Sequence, residues 1–492
     1  MEGAAVGRGA LVSDGADGGA GRAVGDADGS STVRAVPGAL IDPPPPDKEA
    51  GRDALRALLR ERSLLPALAA VHRRMGDVFR LPLPAFSPVV LVGPAAARFV
   101  LLGPEGDLLW RFPKDPVARL LRHGVLVEDG AAHDALRALM APALHKRIID
   151  ANVDAMVGCV DRVLDGWPAE GGVDALPEMR RIALAVLTET LFGVDIHPDL
   201  ARLWRSILGT LRYISPGLWI VWPDAPRPGY GRALRTMDAY LMRLIALRRA
   251  MGDASRTPGG ADAGVVDGPA DDDLLGLLVR SDLSDQLIRD QLLTMLIAGH
   301  DTATALLAWA IVALAQHPDV QSRARAEVVA VLGDAPPTAE TAGRLPYLEQ
   351  VIKETLRLYP PIHVGNRRAA RDLEFEGHRI AKGTRVLFSI FLTQRHPAHW
   401  PDPERFDPER FDMALRSAPD PFTYLPFGGG PRFCIGTAMA RIEARVVLAR
   451  LLQRYEWSMA PGARVTLRMG ATLEPGGRGR VVVVRGVGEP RG

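Results

Sequence analysis

Cys434 lies in a glycine-rich loop whose composition suits a metal-bound sulfur, and it is one of two cysteines in 492 residues. Gly428, Gly429, Gly430 and Gly436 lack Cβ atoms, so the backbone can turn tightly and press against a flat ligand. A thiolate also needs N–H donors and poor access to water, which a bent loop entering a helix supplies. Apolar periodicity just downstream of the loop predicts such a helix.

A second group of polar residues interrupts a long apolar stretch that predicts a central helix from about Asp285 to Gln316. The stretch is long enough to cross a bilayer. The Asp301 carboxylate would then lie in the middle of the bilayer at a high energetic cost, so we predict a helix buried inside the protein instead. Gly299 costs roughly 1 kcal/mol relative to alanine, and a flat cofactor or bound oxygen against the backbone would explain it. Asp301 and Thr302 could relay protons through a local water-filled groove. Taken alone, this motif favours an ordinary buried helix with polar breaks.

The residues around Cys434 match the pattern Phe-Gly-x-Gly-x-Arg-x-Cys-x-Gly. The fixed positions are Phe427, Gly428, Gly430, Arg432, Cys434 and Gly436. A lone intracellular cysteine is ordinarily a small buried hydrophobe. Six such positions, however, coincide by chance only on the order of once in a million placements. The pattern is the haem-binding signature of the cytochrome P450 family, which the chain resembles from about Glu49 to its end.

The resemblance implies a mainly α fold with small β-sheets. In this cytochrome P450 fold, a single large helix-rich domain holds haem between the central helix and the cysteine loop. The predicted haem domain spans residues 49–492 and follows a Gly/Ala/Asp/Pro-rich tail, 1–48, that we expect to be disordered. The polar, Gly/Ala/Asp-rich composition of residues 252–272 predicts a flexible surface insert. The pattern from Arg52 to Met75 predicts one opening helix, and Cys159 is predicted to lie in the core.

The resemblance also implies the cofactor, haem b, with the Cys434 thiolate as the iron ligand. Thiolate ligation favours O–O cleavage by pushing electron density towards the iron. Phe427 is expected to pack against the haem near the sulfur and to tune the reduction potential of the haem. Gly428 and Gly436 are expected to shape the loop. Ala298, on the central helix, would lie against the haem.

Basic side chains are expected at the haem propionates. His133 and Arg137 are four residues apart and share a helix face. Such a pair is as often a solvated face, but the resemblance implies that both hold propionates together with Arg432 and Arg368. The adjacent Arg367 is the rival to Arg368 for this role.

The resemblance assigns proton delivery to Asp301 and Thr302, and it identifies a structural network elsewhere. Glu354 and Arg357, followed by Arg410, match the family's buried Glu–Arg–Arg network, although Glu-x-x-Arg alone carries almost no information in an arginine-rich chain. Buried ions must be mutually paired, so the predicted role of the network is to lock the haem loop in place.

Candidate substrate-pocket residues lie on the central helix, after the Tyr-Pro-Pro motif and in a turn near the C terminus. They are Ile297, Ala298, Ile362, His363, Val364 and Thr472. This Ala/Ile-rich set predicts a lipophilic substrate, and the motif pattern resembles the branch that includes fatty-acid and terpenoid hydroxylases.

Composition limits the partners and the compartment. Sixty basic and 58 acidic residues nearly cancel, so no nucleic-acid partner is implied. Two cysteines cannot build a disulfide framework if one binds iron, and the N terminus has no apolar segment typical of a signal peptide or membrane anchor. We therefore expect a cytoplasmic monomer without a membrane anchor.

The electrons are expected from outside the chain, because no fused flavin or iron–sulfur domain follows the haem helix. They would pass from NAD(P)H through a reductase and a ferredoxin or flavodoxin that docks near Cys434, using Arg441 and Arg445. The predicted function is a monooxygenase that inserts one oxygen atom from O2 into a lipophilic molecule by hydroxylation or epoxidation. The alternatives are a peroxide-driven peroxygenase and a non-catalytic haem sensor, which would have little use for a proton relay.

Overall fold

A computed structural model of the chain describes residues 40–61, 63–82, 86–111, 115–216, 226–255, 273–412 and 420–485. Residues 1–39 of the predicted tail and 256–272 of the predicted insert lie outside these ranges. The α-helices of the described residues are α1 (Lys48–Glu61), α2 (Leu64–Met75), α3 (Gly93–Leu102), α4 (Pro116–Leu121), α5 (Gly130–Met140), α6 (Lys146–Ala151), α7 (Val153–Leu164), α8 (Ala175–Phe192), α9 (His197–Ile214), α10 (Tyr230–Ser255), α11 (Leu274–Val279), α12 (Asp285–Gln316), α13 (Pro318–Leu332), α14 (Ala339–Ala342), α15 (Pro346–Leu358), α16 (Ile390–Thr393) and α17 (Thr437–Arg454).

The strands are short and form small sheets at the edge of the helical body. They are β1 (Val78–Arg80), β2 (Val89–Leu91), β3 (Leu108–Leu109), β4 (Glu170–Asp174), β5 (Gly365–Ala369), β6 (Leu373–Phe375), β7 (His378–Ile380), β8 (Arg385–Phe388), β9 (Tyr455–Met459), β10 (Leu467–Met469), β11 (Leu473–Pro475) and β12 (Arg480–Arg485). The largest sheet has the order β1-β2-β8-β5-β3, and a second has the order β4-β12-β9. Strands β6 and β7 form one hairpin and β10 and β11 another. In the largest sheet β2 pairs parallel to β8, while the other pairs are antiparallel.

Helix α12 is the centre of the fold and has the predicted bounds. It begins where the Ser284 side chain accepts the Leu287 N–H at 3.3 Å, which caps the helix. It packs against α8, α10, α15, α17 and β11. Among the described residues, α12 is the helix long and apolar enough to span a bilayer, but 83% of its most apolar window is buried inside the protein. The prediction of a buried central helix is confirmed.

The prediction of one opening helix from Arg52 to Met75 is wrong, because two helices occupy this region. Ser63 is extended and serves as the N-cap of α2. Pro66 follows in the first turn of α2, where its missing N–H needs no partner. In a continuous helix the same proline would remove an internal hydrogen bond and clash with the preceding turn. The break therefore follows from Pro66.

Two smaller predictions have clear outcomes. Helix α10 continues through Ser255, so residues 252–255 of the predicted insert are helical. Cys159 is 1% exposed on α7, which confirms its assignment to the core.

Candidate active site

The Cys434 loop is shaped by glycines that no other residue could replace without strain. Gly428 and Gly430 have φ angles of 70° and 63°, in the left-handed region that L side chains rarely adopt. A Cβ on Gly430 would also lie 2.2 Å from the carbonyl oxygen of Leu101. The Cys434 N–H donates to the Phe427 carbonyl at 2.9 Å and closes the loop just before α17 begins.

The Cys434 thiol has the surroundings expected of a ligand sulfur. Desolvation raises the pKa of Cys434 above its ordinary value, and the Gly436 backbone, the Thr437 side chain and the charge of Arg137 offset only part of this rise. The residue is nevertheless exposed, so a group approaching the loop can reach it. The buried Cys159 differs, because burial and the Glu189 carboxylate raise its pKa far above the ordinary value. Cys434 is therefore the cysteine suited to bind a metal.

Basic groups from three elements share one region beside the loop. Desolvation lowers the pKa of His133 on α5, and the positive charges of Arg432 and Arg137 lower it further. Desolvation also lowers the pKa of Arg367 on β5 to about 9, again with a contribution from Arg432. The Arg367 guanidinium lies 3.8 Å from the centre of the Trp110 ring. The region therefore concentrates positive charge.

The partners of these groups leave donors free for an additional anion. Arg432 donates to the Glu128 carbonyl at 2.6 Å and to Asp129 at 3.0 Å. Within the described part of the chain, the buried Trp110 Nε1 beside Arg367 has no hydrogen-bond partner. Buried donors are normally paired, so a basic cluster with an orphaned donor fits a carboxylate-bearing ligand such as haem.

The two neighbouring arginines of β5 differ in their surroundings. Successive side chains of a strand point to opposite faces, so Arg367 and Arg368 cannot share a site on one face. Arg367 is 5% exposed and lies within electrostatic range of Arg432 and Asp129. The geometry therefore places the rival, Arg367, with the basic cluster.

The structure explains the glycine at position 299 of α12 differently from the sequence analysis. A Cβ at this position would lie 2.2 Å from Leu187 Cδ1 of α8. The glycine therefore permits close packing of two helices, and the expectation that it makes room for a flat cofactor or oxygen is wrong.

We expect Gly299→Ala to lower the free energy of unfolding by up to about 2 kcal/mol, because overpacking against the Leu187 side chain costs about 1–3 kcal/mol and the gain in helix propensity offsets about 1 kcal/mol of it. Chemical denaturation of the haem-loaded protein measures this loss. Gly158→Ala on α7 is the matched control, since its Cβ would meet nothing within 4 Å. The control should be neutral or stabilising by up to about 1 kcal/mol. Equal effects of the two substitutions would contradict the packing explanation.

Asp301 and Thr302 lie together on α12 but have separate partners. Arg180 donates to Asp301 Oδ1 at 2.9 Å, and the Thr472 hydroxyl donates to Oδ2 at 2.9 Å. Burial raises the pKa of Asp301, while Arg180 and Thr472 act in the opposite direction. The Thr302 hydroxyl donates to the Ala298 carbonyl one turn earlier at 2.8 Å, a kind of bond that often bends helices.

A buried ion network extends behind Asp301. Arg180 also contacts Glu474 at 2.5 Å, and Arg468 pairs with the same carboxylate. His300 lies beside this network, and burial lowers its pKa to about 3, so it is neutral at physiological pH. The sequence analysis missed Arg180. The sequence does not distinguish Arg180 from the adjacent Arg181, which pairs with Glu178 at the surface, so the burial of Arg180 had no local signal.

The predicted Glu–Arg–Arg network is assembled in the core. Arg357 donates to both oxygens of Glu354 at 2.7 and 2.8 Å, and both side chains are fully buried. Arg410 Nε lies 3.3 Å from the same carboxylate. Arg357 also donates to the Gln394 carbonyl, and the Gln394 side chain accepts the Leu425 N–H at 2.7 Å. This chain of bonds connects the network to the segment that leads into the Cys434 loop.

The candidate pocket residues divide into accessible and buried groups. Ala298 and Val364 are partly exposed and Ile362 is 41% exposed, so each offers apolar surface to a ligand. Ile297, His363 and Thr472 are buried. Thr472 contacts Asp301, which indicates that it positions the carboxylate.

The proposed docking arginines have a partner within the chain. Arg441 and Arg445 both pair with Glu349 of α15. The Arg441 side chain is 43% exposed and that of Arg445 is 18% exposed. Arg441 is therefore the more accessible of the two.

The glycine-bent Cys434 loop, the basic cluster beside it and the Asp301–Thr302 pair of α12 are the arrangement expected of a haem-thiolate monooxygenase. A profile of the family "Cytochrome P450" matches residues 56–475, which is most of the chain. The chain belongs to the cytochrome P450 family, whose members use haem iron, O2 and redox partners. It is therefore a cytochrome P450 monooxygenase.

Relatives from several organisms are similar to this chain. "Putative cytochrome P450 139" of Mycobacterium tuberculosis is 33% identical over 401 residues, covering 79% of this chain and 90% of the relative. "Putative cytochrome P450 120" of Synechocystis is 30% identical, covering 80% of this chain and 87% of the relative. The solved structure of retinoic acid-bound cyanobacterial CYP120A1 has a TM-score of 0.76 and 29% identity, and the match covers 91% of this chain and all of that one. The mainly helical single-domain fold is confirmed.

Proposed function

We propose that this monooxygenase oxidises a lipophilic terpenoid or fatty acid with electrons from a separate ferredoxin or flavodoxin. The observation that carries the catalytic part of the proposal is the buried Asp301 carboxylate, held by Arg180 and Thr472 and followed directly in α12 by Thr302. A haem sensor has no need for a carboxylate held in this way. The proposal includes a monomeric, cytoplasmic protein, which size-exclusion chromatography and cell fractionation test.

The residues that would hold the haem lie on the loop and in the basic cluster. Cys434 would bind the iron as a thiolate, with the Gly436 and Thr437 donors stabilising its charge. Bound haem supplies the activation of O2, which the thiolate favours by donating electron density. The propionates would be bound by His133, Arg137 and Arg432, joined by Arg367 or Arg368. Phe427, Gly428 and Gly436 would shape the floor of this site.

Asp301 and Thr302 would hold and move protons for the chemistry that bound haem supplies. Burial keeps the pKa of Asp301 above its ordinary value, so the carboxyl can exchange a proton nearer to neutral pH. Thr302 has one hydroxyl proton engaged with the Ala298 carbonyl, which leaves its oxygen lone pairs free to accept from water. The pair would therefore pass protons from the protein interior towards Ala298.

We expect Thr302→Ala to uncouple electron use from oxidation of the substrate. Electron consumption should continue, but product formed per electron pair should fall by about tenfold or more, since a positioned proton donor contributes a factor of 10²–10⁴. The released peroxide, measured per electron consumed, reports the loss even before the product is identified. Thr304→Ala is the matched control, because its hydroxyl bonds only the His300 carbonyl on the same helix. Unchanged coupling in Thr302→Ala would favour a peroxide-driven enzyme or a sensor.

The substrate class is supported by the apolar surface of Ala298, Ile362 and Val364 and by similarity to a retinoic acid-binding structure. An optical titration of the ferric protein with retinoids, other terpenoids, fatty acids and steroids tests it. A blue shift of the Soret band reports displacement of water from the iron. We expect the blue shift with at least one terpenoid or one fatty acid. A blue shift with steroids alone would contradict the proposal.

The redox-partner surface is proposed to include Arg441, which is exposed beside the start of α17. Arg441→Glu should weaken reduction by a ferredoxin and make it less sensitive to salt. Arg181→Glu, distant in sequence on α8 and also exposed, is the charge control. Equal reduction rates in both variants would exclude Arg441 from the docking surface.

A further inference from the structure

Two histidines and a carboxylate that serve no purpose in the haem site converge on one point of the surface. His72 lies in the last turn of α2, Asp77 follows that helix, and His396 follows α16. His72 Nε2 lies 2.7 Å from Asp77 Oδ1, and His396 Nε2 lies 3.2 Å from the same oxygen. One ligand atom from each residue lies within 4.8 Å of the others.

We propose that His72, Asp77 and His396 bind one divalent transition-metal ion, with Zn2+ as the best match. Two imidazoles and a carboxylate are a ligand set that zinc uses widely, with bonds of about 2.0–2.2 Å. In a tetrahedral site such ligands lie roughly 3.4 Å apart, so the two contacts with Asp77 need to open by less than about 1 Å. The two histidine nitrogens lie within 4.8 Å of each other and need to close by at most about 1.4 Å. The two rings meet edge to face with centroids 5.4 Å apart, which leaves their nitrogens free to converge.

The site is anchored and accessible. The Asp77 carbonyl accepts the Val92 N–H at 2.9 Å, and the His72 carbonyl accepts the Gly76 N–H at 2.9 Å, so the backbone holds both ligands in place. Asp77 is 41% exposed, His72 10% and His396 17%, which gives an ion a path from solvent. Among the described residues, the two histidines are the ion-pair partners of Asp77, so no lysine or arginine competes for it there.

Two details define how the ion would bind. His396 Nδ1 accepts the Ala398 N–H at 3.2 Å, a weak bond that breaks when the ion displaces the Nε2 proton and Nδ1 becomes protonated. The fourth position is open to water or to His399, whose exposed ring is 5.1 Å from that of His396. Because Asp77 and His396 are 319 residues apart in the chain, the bound ion would fasten the α2–β1 corner to the segment after α16.

The test is titration of chelator-treated, haem-loaded full-length protein with Zn2+, followed by calorimetry. We expect one ion per chain with micromolar or tighter affinity and a rise in Tm, since the ion binds the folded state. Asp77→Asn and His396→Gln should each weaken binding by at least about tenfold, because even partners outside the coordination shell contribute that much. His197→Gln, an exposed histidine at the start of α9, is the control and should bind as wild type does.

X-ray absorption at the zinc edge of the wild-type protein makes the test independent of whether the variants fold. Scattering from two imidazoles, with nitrogen and oxygen at about 2.0–2.2 Å, supports the site. The absence of a saturable site, binding that is unchanged in Asp77→Asn and His396→Gln, or sulfur coordination each overturns it. In that case the three residues form only a hydrogen-bonded cluster.

Discussion

Arg357→Ala is expected to lower the free energy of unfolding by about 3–5 kcal/mol, because the buried Glu354 carboxylate loses its two-pronged partner and keeps only the longer contact with Arg410 as an ion pair. Arg357 also donates to the carbonyls of Gln394, Pro403 and Arg405, which would lose a charged donor inside the protein. The Gln394 side chain connects this region to Leu425 ahead of the cysteine loop. Haem content should therefore fall together with stability.

Denaturant unfolding and the haem-to-protein ratio measure both effects. Lys353→Ala is the matched control on the same helix, since its ammonium is partly exposed and lies 3.8 Å from Glu349. An exposed pair of this kind contributes at most about 1 kcal/mol. Arg357→Lys should remain strongly destabilised, because one ammonium cannot replace the two-pronged contact with Glu354. A stable, fully haem-loaded Arg357→Ala protein would disprove the locking role.

Arg180→Gln is expected to damage both stability and coupling. The substitution leaves two buried carboxyls, Asp301 and Glu474, without the guanidinium that they share. Removing one member of a buried ion pair costs about 3–5 kcal/mol, and Arg468 still neutralises Glu474, so we expect about 3 kcal/mol. Product per electron should also fall, because Asp301 would stay protonated.

The pH dependence of this effect has a defined sign. Burial already raises the pKa of Asp301, and loss of Arg180 should raise it further. A group with a raised folded-state pKa favours folding below its unfolded pKa and loses that contribution as pH rises. The difference in stability between wild type and Arg180→Gln should therefore grow from acidic to neutral pH. Arg181→Gln, which pairs with Glu178 at the surface, should show no such trend. A constant difference across this range would contradict the role of Arg180.

The fold and the Cys434 loop were predictable because their signals are local. The long apolar run of α12 predicts a buried helix with these bounds, and the pattern around Cys434 requires left-handed glycines at Gly428 and Gly430. The break before α2 was missed even though Pro66 marks it, because the periodicity continues across it.

Features that depend on contacts between distant segments could not be read from the sequence. Gly299 has no Cβ because the Leu187 side chain of α8 packs closely against it. The ion-pair partner of Asp301 is Arg180, which is also in α8. The pattern favoured Arg368 over its rival Arg367, whereas the electrostatic contact with Arg432 favours Arg367. The pairing of His72 with His396 likewise joins segments far apart in the chain.

The most direct test of the central claim is the absorption spectrum of the reduced protein with carbon monoxide. Thiolate ligation by Cys434 predicts the long-wavelength Soret band that gives the family its name. Cys434→Ala should lose that band, while Cys159→Ala, which removes the buried cysteine of α7, should keep it. A wild-type Soret band typical of a histidine-ligated haem, or a long-wavelength band that persists in Cys434→Ala, would contradict the assignment of Cys434 as the iron ligand.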